Sequence, residues 1–194
     1  MVDGFLAQLA FLIEIDRLKL VERQSRLAGG GRRENSAEHS WHLALVALTL
    51  GKGRSLDLLN TVKMLLIHDL VEIDAGDTPL HGTDRPDKLK TETLAARRIF
   101  GLLPPDQGAE YFALWEEFET GLSGEAAFAR AIDRLQPLLL NLVNEGGTWA
   151  ENGVSLEMVF ERYGSVISPA LPDLWPDVMR MVRQHFDGRS SPLS

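Results

Sequence analysis

Apolar residues recur along this chain at spacings of three and four almost from end to end, and that period predicts helices. Phe5, Leu9, Leu12 and Ile13 predict a first helix with one buried face. Asn35 followed by Glu38 has the form of a capping box, so a second helix is expected to start there. It carries the apolar series Trp41, Leu45 and Leu48, and Gly51 and Gly53 stop it. Ser55 is placed to cap a third helix through Leu58, Leu59, Val62, Leu65 and Leu66, with His68 and Asp69 near its end. Gly76 and Pro79 mark the break after it. A polar stretch, HGTDRPDK, leads to a fourth helix over roughly 88–102, and residues 82–87 are read as a mobile loop. Pro104 and Pro105 end the fourth helix and open a fifth through Trp115 and Phe118. Gly121 and Gly124 separate that helix from a long one over roughly 125–144, and Gly146 and Gly147 close it. Two shorter helices are expected near 155–162 and 176–186. No segment sustains period-two alternation. The expectation is one all-α domain over residues 1–194.

Composition narrows the picture. The 194 residues are 44% hydrophobic and 25% charged, ordinary for a folded globular domain with a sizeable core. Cysteine is absent, so disulfides and thiolate ligands are excluded, in agreement with a cytoplasmic setting. The N-terminal stretch MVDGFLAQLAFLIEIDRLK has no basic start and reads as an amphipathic helix rather than a signal peptide. No apolar run of about 18 residues exists, so no membrane association is expected. The net charge of −8 argues against duplex nucleic acid as a partner. Residues 16–33 run the other way: Arg17, Lys19, Arg23, Arg26, Arg32 and Arg33 face only Asp16 and Glu22. Such a basic patch on an acidic protein suits a small anionic ligand, or else is a solvated loop.

The candidate chemistry sits in LLIHDLVEIDAGDTP, residues 65–79, where an apolar helix ends in His68 and Asp69, with Glu72, Asp74 and Asp77 close behind. Acids and imidazoles are costly to bury unless paired or bound to a metal. Neighbours on a helix point about 100° apart, yet both can reach one ion lying between their directions. Further ligands must come from other helices, and His39 in AEHSWH and Asp133 in RAIDRLQP are the candidates. Asp133 interrupts the apolar series Phe128, Ile132, Leu135 and Leu138, where an unpaired acid would be expensive. Taken singly these residues have other readings. His42 competes with His39, and Asp133 could pair at the surface with Arg130 or Arg134. Asp74 is read as solvent-exposed, and Trp115, Trp149 and Trp175 as packing residues.

The order H…HD…D on helices of one α domain resembles the HD-domain superfamily of metal-dependent phosphohydrolases. ENSAEHSWHLALVAL, LLIHDLVEIDAGDTP and EAAFARAIDRLQPLLLN look like the signature stretches of its 5′-deoxynucleotidase-like branch. The resemblance implies a single HD-domain helical bundle in which His39, His68, Asp69 and Asp133 bind one divalent cation. Two imidazoles and two carboxylates suit Co²⁺, Mn²⁺, Fe²⁺, Ni²⁺ or Zn²⁺, with Mg²⁺ also admitted. It also implies that Glu72 and Asp77 are catalytic and that Arg23 contacts phosphate, with Arg32 and Arg33 as alternative substrate-binding residues. Glu72 follows His68 by one helical turn, on the same face. Gly76 lets the chain turn so that Asp77 faces back into the site. The activity implied is hydrolysis of deoxynucleoside 5′-monophosphates by water that the ion activates, in a homodimer to which the apolar N-terminal helix contributes. Two alternatives stay open: an HD-domain pyrophosphohydrolase or phosphodiesterase, and a non-catalytic nucleotide-binding module. In the resembling branch an aromatic residue often follows the arginine. Here Gln24, Ser25 and Arg26 follow Arg23.

Overall fold

The computed structural model describes residues 4–81 and 86–189. Most of the expected 82–87 loop therefore lies outside the described residues. Helix α1 (Gly4–Ile15) passes through a 3₁₀ turn (Asp16–Leu20) into a short ribbon of β1 (Glu22–Arg26) and β2 (Arg33–Asn35). Then follow α2 (Ser36–Leu50), α3 (Leu58–Ile67), a 3₁₀ turn (His68–Val71) and α4 (Glu72–Ala75). Helices α5 (Lys88–Phe100), α6 (Pro105–Thr120) and α7 (Gly124–Val143) complete the bundle around the site. The C-terminal part holds α8 (Gly147–Asn152), α9 (Leu156–Val159), a π turn (Phe160–Gly164), α10 (Ser165–Ala170) and α11 (Trp175–Phe186). The fold is all-α apart from the ribbon.

Helix α7 is the axis of the domain. It packs against α2, α3, α6 and α10, and buries Phe128, Ile132, Leu135 and Leu138 together with Asp133 and Gln136. It runs unbroken through Pro137, whose missing N–H leaves the Asp133 carbonyl without its usual helical donor. The capping box at α2 forms as expected. Asn35 Oδ1 accepts from the Glu38 N–H at 2.9 Å, and Glu38 Oε2 accepts from the Asn35 N–H at 3.1 Å. Helix α3 is capped by Asp57 rather than Ser55, through a 3.0 Å bond from the Asn60 N–H.

Further expectations are corrected. The stripe Phe5, Leu9, Leu12 and Ile13 is exposed, and α1 buries Phe11 instead, followed by Leu18 in the 3₁₀ turn. On α2, Trp41, Leu45 and Leu48 face outward. The inner face carries Ser36, His39, Ser40, Leu43, Ala44 and Ala47. Small side chains there let α2 approach its neighbours closely, and this selects the inner face more than hydrophobicity does. The basic segment after α1 is an antiparallel ribbon, pairing Glu22 with Asn35 and Arg26 with Arg33. Five residues that pack no apolar face give no alternation to read. The turn uses Gly29, Gly30 and Gly31, all at positive φ (84°, 80° and 86°), which closes the hairpin. At the C-terminal end, the helix expected over 155–162 continues through the π turn to Ala170.

Candidate metal centre and reaction cavity

Helix α3 tightens into the 3₁₀ turn where His68 begins, and this turn delivers His68 and Asp69 to the interior together. His39 arrives from α2 and Asp133 from α7. One donor atom each of His39, His68 and Asp69 lies within 4.8 Å of the others, and among the described residues this is the one such gathering. Asp133 Oδ1 stands 3.0 Å from His39 Nε2 and 3.7 Å from His68 Nε2. All four side chains are buried. The sequence-predicted ligand set is therefore brought to one point.

Both histidines are oriented through their Nδ1 atoms. His68 Nδ1 donates to the Leu65 carbonyl at 2.9 Å, and His39 Nδ1 donates to Gln136 Oε1 at 3.1 Å. Gln136 is held in turn, its Nε2 donating to Glu34 Oε2 at 3.0 Å, with His42 Nδ1 3.2 Å away. His42 is thus a neighbour of the amide that orients His39, not a rival to it. With each Nδ1 committed to an acceptor, each ring turns Nε2 toward the acids, the arrangement that metal-bound histidines adopt. His68 Nε2 is buried and makes no hydrogen bond, although Asp69 Oδ1 is 3.0 Å away. An orphaned imidazole nitrogen between two carboxylates fits a divalent cation held by His39, His68, Asp69 and Asp133.

Electrostatics say the same. Burial works against an imidazolium at His68, but the carboxylates of Asp69 and Asp133 outweigh it and push its pKa up to about 10. Burial would raise Asp69, yet His68 and Arg23 hold it well below the usual carboxylate range. Burial likewise opposes ionisation of Asp133, and the contact with His39 and the nearby His68 overcome that. A cation entering here must displace the His68 proton. Metal affinity is therefore expected to rise about tenfold per pH unit from neutrality toward pH 10, with about one proton released from His68 per ion bound. Calorimetry in buffers of different ionisation enthalpy measures this, and binding without proton release would contradict it.

Beside the four buried donors lies a cavity of about 150 Å³ whose wall includes Arg23, Glu72, Asp77, Lys88, Arg130 and Arg134. The ribbon brings Arg23 over the acids. Its Nη1 donates to Asp69 Oδ2 at 2.8 Å and lies 3.6 Å from Asp77 Oδ1 and 3.8 Å from Glu72 Oε2. Burial opposes the guanidinium charge, and Asp69, Glu72 and Asp77 more than restore it. Glu72 accepts a 2.6 Å bond from the Ser36 hydroxyl. Burial and the Asp69 charge raise its pKa well above the usual range. Asp77 is also raised, chiefly by burial, against the pull of Arg23. Gly76 makes the expected turn, with φ 73° and ψ 155°, a conformation closed to other residues.

Other calls fall elsewhere. Arg32 pairs with Glu38 at 2.5 Å and Arg33 with Glu151 at 3.5 Å, and neither lines the cavity. Asp74 is exposed but engaged by Arg98. Trp115 and Trp149 pack in the core. The sequence reading missed Lys88, Glu92, Arg130 and Arg134 as wall residues. Arg130 and Arg134 had a signal, because they flank Asp133 by three residues and one on the same helix. Lys88 and Glu92 had none beyond their place at the start of α5.

Comparison with known proteins agrees with this geometry. A family model described as HD domain matches residues 15–175. The crystal structure of a predicted metal-dependent phosphohydrolase from Magnetospirillum magnetotacticum MS-1 superposes with a TM-score of 0.89 at 46% identity, covering 97% of this chain and 96% of that one. The human 5′-deoxynucleotidase HDDC2 is 32% identical over 138 residues, 70% of this chain and 67% of its own length. The Schizosaccharomyces pombe 5′-deoxynucleotidase hdd1 is 28% identical over 182 residues, 91% of this chain and 90% of its own. The buried gathering of two histidines and two aspartates, contributed by three separate parts of the bundle, and these matches along most of the sequence lead to one conclusion: the chain belongs to the HD-domain family.

Proposed function

We propose that this protein is a metal-dependent phosphomonoesterase that hydrolyses deoxynucleoside 5′-monophosphates to nucleoside and phosphate. The observation that carries this reading is the meeting of four buried donors beside a cavity walled by Arg23, Glu72 and Asp77. The names of the human and fission-yeast relatives support the substrate class. His39, His68, Asp69 and Asp133 would hold one divalent ion. When bound, the ion supplies Lewis acidity toward a phosphoryl oxygen and lowers the pKa of water.

The remaining work falls to the chain's own side chains. Arg23 binds the phosphoryl group and offsets its charge against the surrounding acids. Glu72, steadied by Ser36, orients the attacking water and takes its proton. Asp77, raised in pKa, handles the proton of the leaving alkoxide. Lys88 and Arg134 add positive charge at the cavity wall. Described residues offer one ligand cluster, which favours this chemistry over a two-metal diesterase.

Phosphate release from a panel of deoxynucleoside monophosphates, with Co²⁺ or Mn²⁺ added and binding verified, tests the proposal. Absence of turnover across the panel would reject it.

We also propose a homodimer. Leu20 and Ile13 are 80% and 75% exposed, and Trp41 on α2 is 62% exposed, a large apolar surface for a monomer. Sedimentation is expected to give a dimer for the natural protein and a monomer for the double variant Ile13→Glu, Trp41→Glu. A dimer persisting in that variant would place the interface elsewhere. No helix of the described residues is long and apolar enough to cross a membrane, and a cysteine-free chain suits the cytoplasm.

A further inference from the structure

Adjoining the reaction cavity is a smaller hollow of about 60 Å³ that shares Arg23, Asp77, Thr78 and Arg134 with it and is also lined by His81 and Tyr163. Residues 77–81 run along it. Four residues of extended chain reach at most about 14 Å, enough to lead from a phosphate toward the far end of a nucleotide.

The far wall is built around one hydrogen-bond relay. Trp149 Nε1 donates to the Tyr163 hydroxyl oxygen at 3.1 Å, and His81 Nε2 stands 3.0 Å from the same oxygen. An indole N–H only donates, so the phenol's own hydrogen needs an acceptor. Among the described residues His81 Nε2 is the one within reach. Tyr163 therefore donates to Nε2, and the ring proton of a neutral His81 sits on Nδ1. Burial, with Arg162 and Arg134 nearby, holds the His81 pKa down to about 4, so the ring is neutral near pH 7.

Its Nδ1 is shielded from solvent and has no hydrogen-bond partner among the described residues. A shielded N–H without an acceptor is costly unless a ligand supplies one. The supports are firm. Tyr163 is buried within the π turn, an irregularity often found at functional sites, and Arg162 Nη1 donates to the Leu80 carbonyl at 2.5 Å.

We propose that His81 is a specificity-determining residue whose Nδ1–H donates to the nucleobase of the substrate, with Tyr163 and Trp149 as positioning residues that fix its tautomer. The acceptor is a carbonyl oxygen or an unprotonated ring nitrogen of the base. This inference rests on the nucleotidase reading.

The test compares kcat/KM for a deoxynucleoside 5′-monophosphate with that for deoxyribose 5-phosphate, which keeps sugar and phosphate and lacks the base. In His81→Ala the ratio of the two is expected to fall about 10- to 100-fold, the loss expected for one hydrogen bond to a shielded group. His81→Asn, which can place an amide N–H near the same point, should recover part of it. Tyr163→Phe, which frees the ring to change tautomer, should lose part of it. Melting temperatures check that each variant folds. A ratio unchanged in His81→Ala, in a natural protein that hydrolyses nucleotides, overturns this inference alone. A natural protein that cleaves deoxyribose 5-phosphate and no nucleotide overturns the nucleotidase reading and this inference with it.

Discussion

Glutamine in place of Glu72 is expected to lower kcat by about 10²- to 10⁴-fold while the bound metal stays at the same stoichiometry. Glu72 is not among the four donors of the cluster, and its Oε2 is held by the Ser36 hydroxyl at 2.6 Å on the cavity side. Glutamine keeps the size and one acceptor oxygen but cannot take a proton. Binding of ion and phosphate should therefore survive, and proton removal from water should not. The pH profile offers a second check. Burial and Asp69 raise the Glu72 pKa well above that of an ordinary glutamate, so its basic form appears at a correspondingly higher pH. The acidic limb of the natural protein's rate profile should follow ionisation of Glu72, and glutamine should remove that limb. If the Glu72→Gln protein keeps its rate, the base lies elsewhere. If it loses its metal, Glu72 is part of the ion's grip.

Methionine in place of Arg23 should cost the metal-free protein about 3–5 kcal/mol of stability near neutral pH. Arg23 is largely buried and is the cation shared by Asp69, Glu72, Asp77 and, at 3.8 Å, Glu34. Removing it strands several buried acids, and a broken buried pair costs more than the pair is worth intact. The sign with pH follows. Glu72 and Asp77 already have raised folded-state pKa values, so their charged forms weaken the fold as pH rises. Without Arg23 that weakening grows. The deficit should be greatest at neutral and alkaline pH and shrink as acidification protonates the two acids. Urea melts at several pH values measure it. Bound metal should recover part of the loss by neutralising Asp69 and Asp133. An Arg23→Met protein as stable as the natural one across this range would mean that the acids are not confined with it.

The gathering of His39, His68, Asp69 and Asp133 was legible in the sequence because acids and imidazoles inside apolar helical stripes demand a partner, and because the capping box at Asn35 fixes where the helix bearing His39 begins. Glu72 and Asp77 came from the resemblance to the deoxynucleotidase-like branch, with helical phase and the glycine before Asp77 in agreement. The orientation of α2 was not legible. Both of its faces carry leucine or alanine, so apolar period cannot choose between them. The inward face is chosen by small residues that permit close approach and by the ligand it must present. The ribbon was hidden for a related reason, since its strands bury no alternate face and are held by pairing across Gly29–Gly31. Lys88 enters the cavity wall through tertiary packing of α5, to which local sequence gives no access.

The ribbon and the start of α2 are consecutive in the chain, and they differ in how they tolerate a change of length. An added residue among the glycines of the hairpin would be absorbed in solvent, and Arg23 would keep its place. One added between Asn35 and His39 would turn the imidazole by about 100° about the helix axis and carry it out of the cluster. Insertions four to ten residues apart in this segment would thus separate into silent and ruinous classes, with the cap at Asn35 as the border.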